Sequence, residues 1–534
     1  MMALLGGLGL IALTALLIVV LGGGVLSLSA RGRTQTGLEL LAYAIGLGIL
    51  AMAAIGVLVV SVSWDYALNA WILLTAATAL SALQWVRSGV LSRLFGRQAG
   101  SQAVLVRLAT LGWLMMAAIP MALTFVPVKM PVELPDGAYV VKNEHLHVRV
   151  QRMMGDFPAD NYIPFVAAEY LLRDISFAEE RPLMPGQELA NRPILMSLVA
   201  LPLRAALDPP PKEDGVQPTF RYVGKQWPDV GRFGDDASYR RFLAAALVLN
   251  ASLFVAAALL FHHFGLQRRY WVAGLLLIGS SPYFIGQTLF AWPKSLAAFY
   301  LLLSAYTLFA RDRTWVAGLL ATLAYWAHPY AVVFIGAFGL YLLVRERHDL
   351  NPQRGLLPFG MAAGFGVFAW YAWAQWYLQM PSDLVEQNAG TGGGLVNHVG
   401  VRFINALNTV APISFTAGPS VYDLLQASIL GLVGGIGILL LPQAACATVH
   451  CLRQRSKEMV LLVVLPSALL IAVFSHLAVP AVHGFQGVAV VLLTLALIWM
   501  QRRGYSTLMM VCVAGQILIN LVLMAYRGHA LIHG

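Results

Sequence analysis

The run FLAAALVLNASLFVAAALLFHH, residues 242–263, contains no Asp, Glu, Lys or Arg, and Arg268 and Arg269 follow it. At 1.5 Å of rise per residue such a helix covers about 33 Å, enough for the hydrocarbon core of a bilayer. Outward from this run the same unit recurs, an apolar stretch followed by a short arginine-bearing loop. Fourteen spans are expected, near 3–27, 37–61, 66–86, 103–126, 242–263, 271–289, 295–310, 314–327, 330–344, 356–378, 424–446, 458–478, 485–500 and 506–526. Every odd-numbered span is followed by basic residues, from Arg31 and Arg33 through Arg311 and Arg313 to Arg502 and Arg503. Loops rich in Arg and Lys stay cytoplasmic. The alternation therefore puts both termini outside and the long segment 127–241 on the extracytoplasmic face.

Composition points the same way. The 534 residues are 59% hydrophobic and 11% charged, with a mean hydropathy of +0.72, more apolar surface than a soluble fold can hide. The expected fold class is an all-α polytopic membrane protein, a bundle of about 13–14 transmembrane helices with a large extracytoplasmic loop. The net charge of +10 resides in short loops, which reads as a topology signal and not as a nucleic-acid surface. Cys446, Cys451 and Cys512 have no metal-type spacing, so no disulfide is expected. Met2 to Leu28 lacks a basic leading region and is read as a mature helix, not a signal peptide.

Segment 127–241 is too polar and too rich in proline to span. A β-like piece is expected from Ala138 to Val150, a helix from Asn161 to Arg173, and a second helix from Pro193 to Leu207. Both helices are amphipathic, so they are expected to lie flat on the membrane surface. Asp160, followed by Asn161 and Tyr162, stands where an N-cap belongs. It either caps the helix or serves as a base, and Asp156 either fixes a turn or shares that site. Arg192, ahead of Pro193, stands beside the positive end of the second helix, which suits an anion site as well as a salt bridge to Glu179 or Glu180.

Other polar residues are expected on the same face. Trp292-Pro293-Lys294 puts a lysine against the positive-inside bias, so Lys294 either reaches for headgroups or holds an anion. His328 precedes Pro329, and His483 and Gln486 lie in a short turn; each is a structural hydrogen-bonding group or a substrate contact. Gly390 to Gly394 follows no strand and reads as a hinge, with His398 and Arg402 beyond it able to reach the same cavity. His145 and His147 share a strand face near Glu144, weak grounds for a metal. No metal or other cofactor is expected.

Together these motifs resemble the GT-C superfamily of membrane glycosyltransferases that use polyprenyl-phosphate sugars, among them aminoarabinose transferases, protein mannosyltransferases and arabinofuranosyltransferases. In that family an acidic residue precedes a surface helix of the first large loop, as Asp156 and Asp160 do here. A basic residue and proline before a second helix match Arg192-Pro193, and Trp-Pro-Lys and His-Pro stretches match residues 292–294 and 328–329. The resemblance covers about residues 103–345, giving an N-terminal three-helix extension (1–102), a GT-C-like module with its loop (103–345), and C-terminal helices with the loop 379–423 (346–534). Two features depart from the family pattern. Three spans precede the helix that usually comes first, and the two acidic residues are separated by three others.

The resemblance implies an inverting glycosyltransferase in a bacterial inner membrane. It would move a sugar such as arabinofuranose or a hexose from a polyprenyl-phosphate donor to a glycan, lipid or protein acceptor such as a pilin. Asp160 or Asp156 would be the base. Lys294, Arg192 and His328 would hold the donor phosphate. Asn161, Tyr162, Trp292, His483, Gln486, His398 and Arg402 would contact substrate. A transporter or flippase of lipid-linked glycan, and an O-antigen ligase or polymerase, are the competing readings.

Overall fold

The computed structural model describes residues 2–28, 37–62, 65–89, 100–133, 139–145, 160–177, 192–212, 219–222, 225–228, 233, 236–346, 355–380, 399–410, 431–475 and 479–533. The chain opens with α1 (Met2–Ser27), α2 (Gly37–Ser61), α3 (Tyr66–Ser88) and α4 (Gly100–Leu123). A hairpin of β1 (Pro127–Glu133) and β2 (Tyr139–His145) follows, then α5 (Ile163–Arg173), α6 (Leu195–Leu207) and a second hairpin, β3 (Thr219–Tyr222) with β4 (Lys225–Pro228). Both hairpins are antiparallel, the first pairing Pro127 with His145. Next come α7 (Asp236–Ala251), α8 (Leu253–His263), α9 (Arg268–Ser280), α10 (Pro282–Leu289), α11 (Lys294–Arg311), α12 (Thr314–Ala327), α13 (Ala331–Glu346) and α14 (Leu356–Ala372). The chain finishes with α15 (Val399–Val410), α16 (Leu432–Ile436), α17 (Leu441–Arg453), α18 (Leu465–Phe474), α19 (Phe485–Arg502) and α20 (Ser506–His533).

This is a helical polytopic membrane protein. Among the described residues eight helices are long and apolar enough to cross a bilayer, or nine if α9 and α10, bent by 53°, make one span. Among the described residues, fewer helices than the expected 13–14 are of full spanning length, and residues 424–430 of the span expected at 424–446 lie outside them. The stretches 314–327 and 330–344 form α12 and α13, shorter apolar helices. The run expected at 271–289 breaks at Ser281, whose hydroxyl caps Phe284 N just before Pro282. The one expected at 458–478 is interrupted by a π-helical turn, Val460–Val464. Periodicity finds apolar stretches but does not distinguish a straight span from a short or broken helix packed among others.

The loop helices also depart from expectation. They do not lie on a surface. Every residue of α5 from Ile163 to Leu172 is buried, as is α6 from Leu195 to Ala205. α6 packs against α2, α3 and α7, so its apolar face meets protein. At Gly56 a Cβ would run into the Leu198 carbonyl, so this glycine lets α6 approach the α2 backbone. One buried carboxylate ties the layer together. Glu169, fully buried, accepts from Arg173 Nε at 3.0 Å and Arg204 Nε at 2.9 Å. Arg204 also bonds Asp208 at 2.7 Å, and Asp208 pairs with Arg241 of α7. Pairing of this kind offsets the desolvation of the buried charges.

The N-terminal helices pack on small residues. A Cβ at Gly22 would strike the Ala44 carbonyl and one at Gly48 the Ile18 carbonyl, so α1 and α2 touch backbone to backbone. At one end of the bundle, buried Glu39 at the start of α2 forms a two-bond pair with Arg311 at the end of α11, and Arg345 bonds Asp312 at 2.8 Å. α11 runs away from that end towards Lys294. Gly48→Leu is expected to force α1 and α2 apart and cost about 1–3 kcal/mol, read as a lowered unfolding midpoint of the purified protein; an unchanged midpoint would contradict this packing.

Candidate functional site

At the Lys294 end of α11 four Xaa–Pro pairs from distant parts of the chain line one cavity. They are Ile163-Pro164 at the start of α5, Arg192-Pro193 ahead of α6, Trp292-Pro293 ahead of α11, and His328-Pro329 between α12 and α13. The cavity's enclosed space is small, ≈ 20 Å³, about the room one water needs. Proline disfavours helical backbone in the residue before it, and His328, at φ −155° and ψ 135°, is extended. Ser197 of α6 donates to the Pro164 carbonyl at 2.7 Å and fixes one wall to the other.

Lys294 is the first residue of α11 and is fully buried. A helix N-terminus carries positive partial charge, so an ammonium is held there against the local field. Its Nζ lies 3.2 Å from the centre of the Trp292 ring, a cation–π contact, and 3.1 Å from His483 Nδ1. Half-buried Arg192 adds a second cation, 5.9 Å from the same ring. His328 and His483 each pack an edge against Trp292, at 5.7 and 5.6 Å. One indole thus gathers two cations and two imidazoles.

The tautomers follow from the donors. An ammonium only donates, so His483 accepts at Nδ1 and keeps its proton on Nε2. Tyr330 N–H donates to His328 Nδ1 at 3.2 Å, which assigns the same tautomer. Burial, reinforced by Lys294 and Arg192, holds both imidazoles well below their ordinary value of 6.5. They stay neutral beside two cations.

Tyr330 is the residue that sequence reading missed. Besides fixing His328 it donates from its hydroxyl to the Lys294 carbonyl at 2.8 Å. Gly484, at φ 102°, lets the turn carrying His483 close on it, since a Cβ there would meet the Tyr330 ring at 2.7 Å. The only signal in the sequence was its place after His-Pro.

The other expected residues fall into three groups. Asp160 opens a 3₁₀ turn, Asp160–Tyr162, just before Ile163. The cap of α5 is Tyr162 and not Asp160, because this turn is inserted ahead of the helix. Tyr162 packs in an aromatic cluster, 5.1 Å from Phe165 and 5.4 Å from Tyr239, and Asn161 is fully buried beside it. Gln486 is also buried, donating to Gln287 at 3.1 Å and accepting from Gly484 N at 3.2 Å, so it braces the His483 turn. Arg402 is not brought to the cavity, and its Nη1 donates to the Ala472 carbonyl at 2.8 Å. Asp156, Glu179, Glu180, His147, His398 and Gly390 to Gly394 lie outside the described residues. Among the described residues no three His, Cys, Asp or Glu side chains form a metal-binding group.

The depressed histidines set a pH dependence. The unfolded chain takes up protons below pH 6.5 that the folded one refuses, so stability is full above 6.5 and falls as pH drops below it. The expected loss is about 1.4 kcal/mol per pH unit for each histidine. Unfolding midpoints at pH 7.5 and 5 should separate in the native chain and converge in His328→Gln/His483→Gln; equal separations would contradict the assignment.

No protein-family model, curated protein or solved structure matches this chain.

Proposed function

We propose that the protein is an inverting glycosyltransferase that takes sugar from a polyprenyl-phosphate donor. The observation that carries this reading is the gathering of Lys294, Arg192, His328 and His483 around Trp292, with Arg192, Trp292 and His328 lining a cavity that Ile163 and Pro164, just after Asp160 in the chain, also line. In this reading the donor's prenyl chain stays in the lipid and its phosphate meets the cations. The acceptor oxygen bonds the anomeric carbon as the carbon–oxygen bond to phosphate breaks. The acceptor proton passes to Asp160 or Asp156. The leaving polyprenyl phosphate gains charge as that bond breaks, and fixed donors in a site screened from water are most effective there. The reading also places the site on the extracytoplasmic side of a bacterial inner membrane, with a glycan, lipid or protein as acceptor.

A second reading, a transporter of lipid-linked glycan, is favoured by one feature. The bend between α9 and α10 and the break at Gly437, φ 94°, are linked through α20, where Asn520 donates to Ser280 at 3.2 Å and Gln516 accepts from Leu439 N at 3.2 Å. Broken helices of this kind often line transport sites. Here Gln516 also donates to Asn520 at 2.8 Å, so the amides largely serve one another.

Lys294→Ala and Arg192→Ala should each lower sugar transfer by about 10²–10³-fold, measured with purified protein and prenyl-monophosphate sugars. Asp160→Asn and Asp156→Asn should identify the base. Wild-type transfer in all four variants, or consumption of pyrophosphate-linked donors alone, would reject the proposal.

A further inference from the structure

Asn250 is an amide in the middle of the apolar run 242–263, 1% exposed within a candidate span, Ala237–His263. A buried amide in such a helix is costly unless its polar atoms are satisfied. Its partners lie in the first turn of α11 and in the residues that lead into it. Nδ2 donates to the Trp292 carbonyl at 3.1 Å, and Oδ1 accepts from Leu296 N at 3.3 Å. These two backbone groups bracket Pro293, Lys294 and Ser295.

The local chain explains why a bond from outside is needed. The first N–H groups of a helix have no partner within it, and an Asn side chain at the N-cap normally accepts from the third helical residue. Here the cap of α11 is Pro293, which offers no side-chain hydrogen bond, and the third residue is Leu296. Ala291 just upstream is fully buried with φ 53°, a left-handed conformation that alanine disfavours. The turn also carries a bond from Lys294 N to the Trp292 carbonyl at 2.7 Å.

We infer that Asn250 is the positioning residue of the cationic site, a helix cap supplied by a neighbouring helix that fixes Trp292 and Lys294 relative to each other. It acts through the backbone and touches no substrate. Its role towards substrate rests on Lys294 holding the donor phosphate. Its geometric role does not.

The test uses the full chain in lipid nanodiscs and follows reductive methylation of Lys294 by peptide mass spectrometry, with and without farnesyl phosphate. Lys457, at the start of a helical segment after α17, is the internal control. Asn250→Leu removes both bonds at similar volume. Asn250→Asp keeps the acceptor for Leu296 and sets an oxygen against the Trp292 carbonyl. Without farnesyl phosphate, Lys294 should label roughly tenfold faster in Asn250→Leu and less so in Asn250→Asp, the size expected for losing buried hydrogen bonds. Lys457 should stay unchanged. Gly48→Leu sets the rate due to destabilisation alone and should leave Lys294 slow. Wild-type labelling of Lys294 in both Asn250 variants would overturn the inference, and if the leucine variant does not fold, the aspartate variant decides alone. Farnesyl phosphate should protect Lys294 in the native chain and fail to do so in Asn250→Leu. Absence of protection in the native chain, with faster labelling in the variants, would reject the phosphate reading and uphold the positioning role.

Discussion

A fully buried ammonium at the positive end of a helix is the constraint on which the site depends. Lys294 is placed where both desolvation and the helix dipole oppose its charge. The groups around it answer that cost in different ways. Trp292 offers a π face, His483 an imidazole lone pair, and Tyr330 a hydroxyl that fixes the lysine's own carbonyl. Each of these needs its own support, which accounts for Gly484, for buried Gln486 bonded to Gln287, and for Phe474 stacked on His483 at 4.8 Å. None of these partners is anionic. Arg192 adds a second cation beside the Trp292 ring.

Much of this was legible in the sequence, and the reason is proline. Arg192, Trp292 and His328 each precede one, and the dipeptides stood out as interruptions in apolar text. Their convergence could not be read, because residues 163, 192, 292 and 328 are joined only by tertiary packing. Tyr330 and Asn250 escaped notice for a related reason. A tyrosine or a single asparagine beside an apolar run has no local pattern, and its meaning comes from a partner on another helix. Arg402 was grouped with the site because it follows a glycine-rich stretch, but its guanidinium bonds a carbonyl near the end of α18.

The fold shows a similar division. Hydropathy found where helices lie, because burial in lipid or in protein demands the same residues. It could not tell one from the other. α5 and α6 were read as surface helices because they are amphipathic, yet their polar positions include Glu169, whose partners are arginines within the protein. The breaks at Ser281 and Gly437 arise where side chains from other helices replace intrahelical bonds, as Ser281 does in donating to the Gly434 carbonyl.

The Glu169 cluster also bears on how the chain assembles. Glu169 meets Arg204, 35 positions later, and Asp208 meets Arg241, 33 positions later. Both of Glu169's arginines lie in α5 and α6, whereas the outer pair, Asp208 with Arg241, is partly exposed and closes only when α7 is present. The buried charge can therefore be neutralised as soon as α5 meets α6, so the two loop helices can associate as a unit before α7 packs on them. α7 then ties that unit to the bundle through Arg241 and through Ser238, which accepts from Arg204 Nη2 at 3.1 Å.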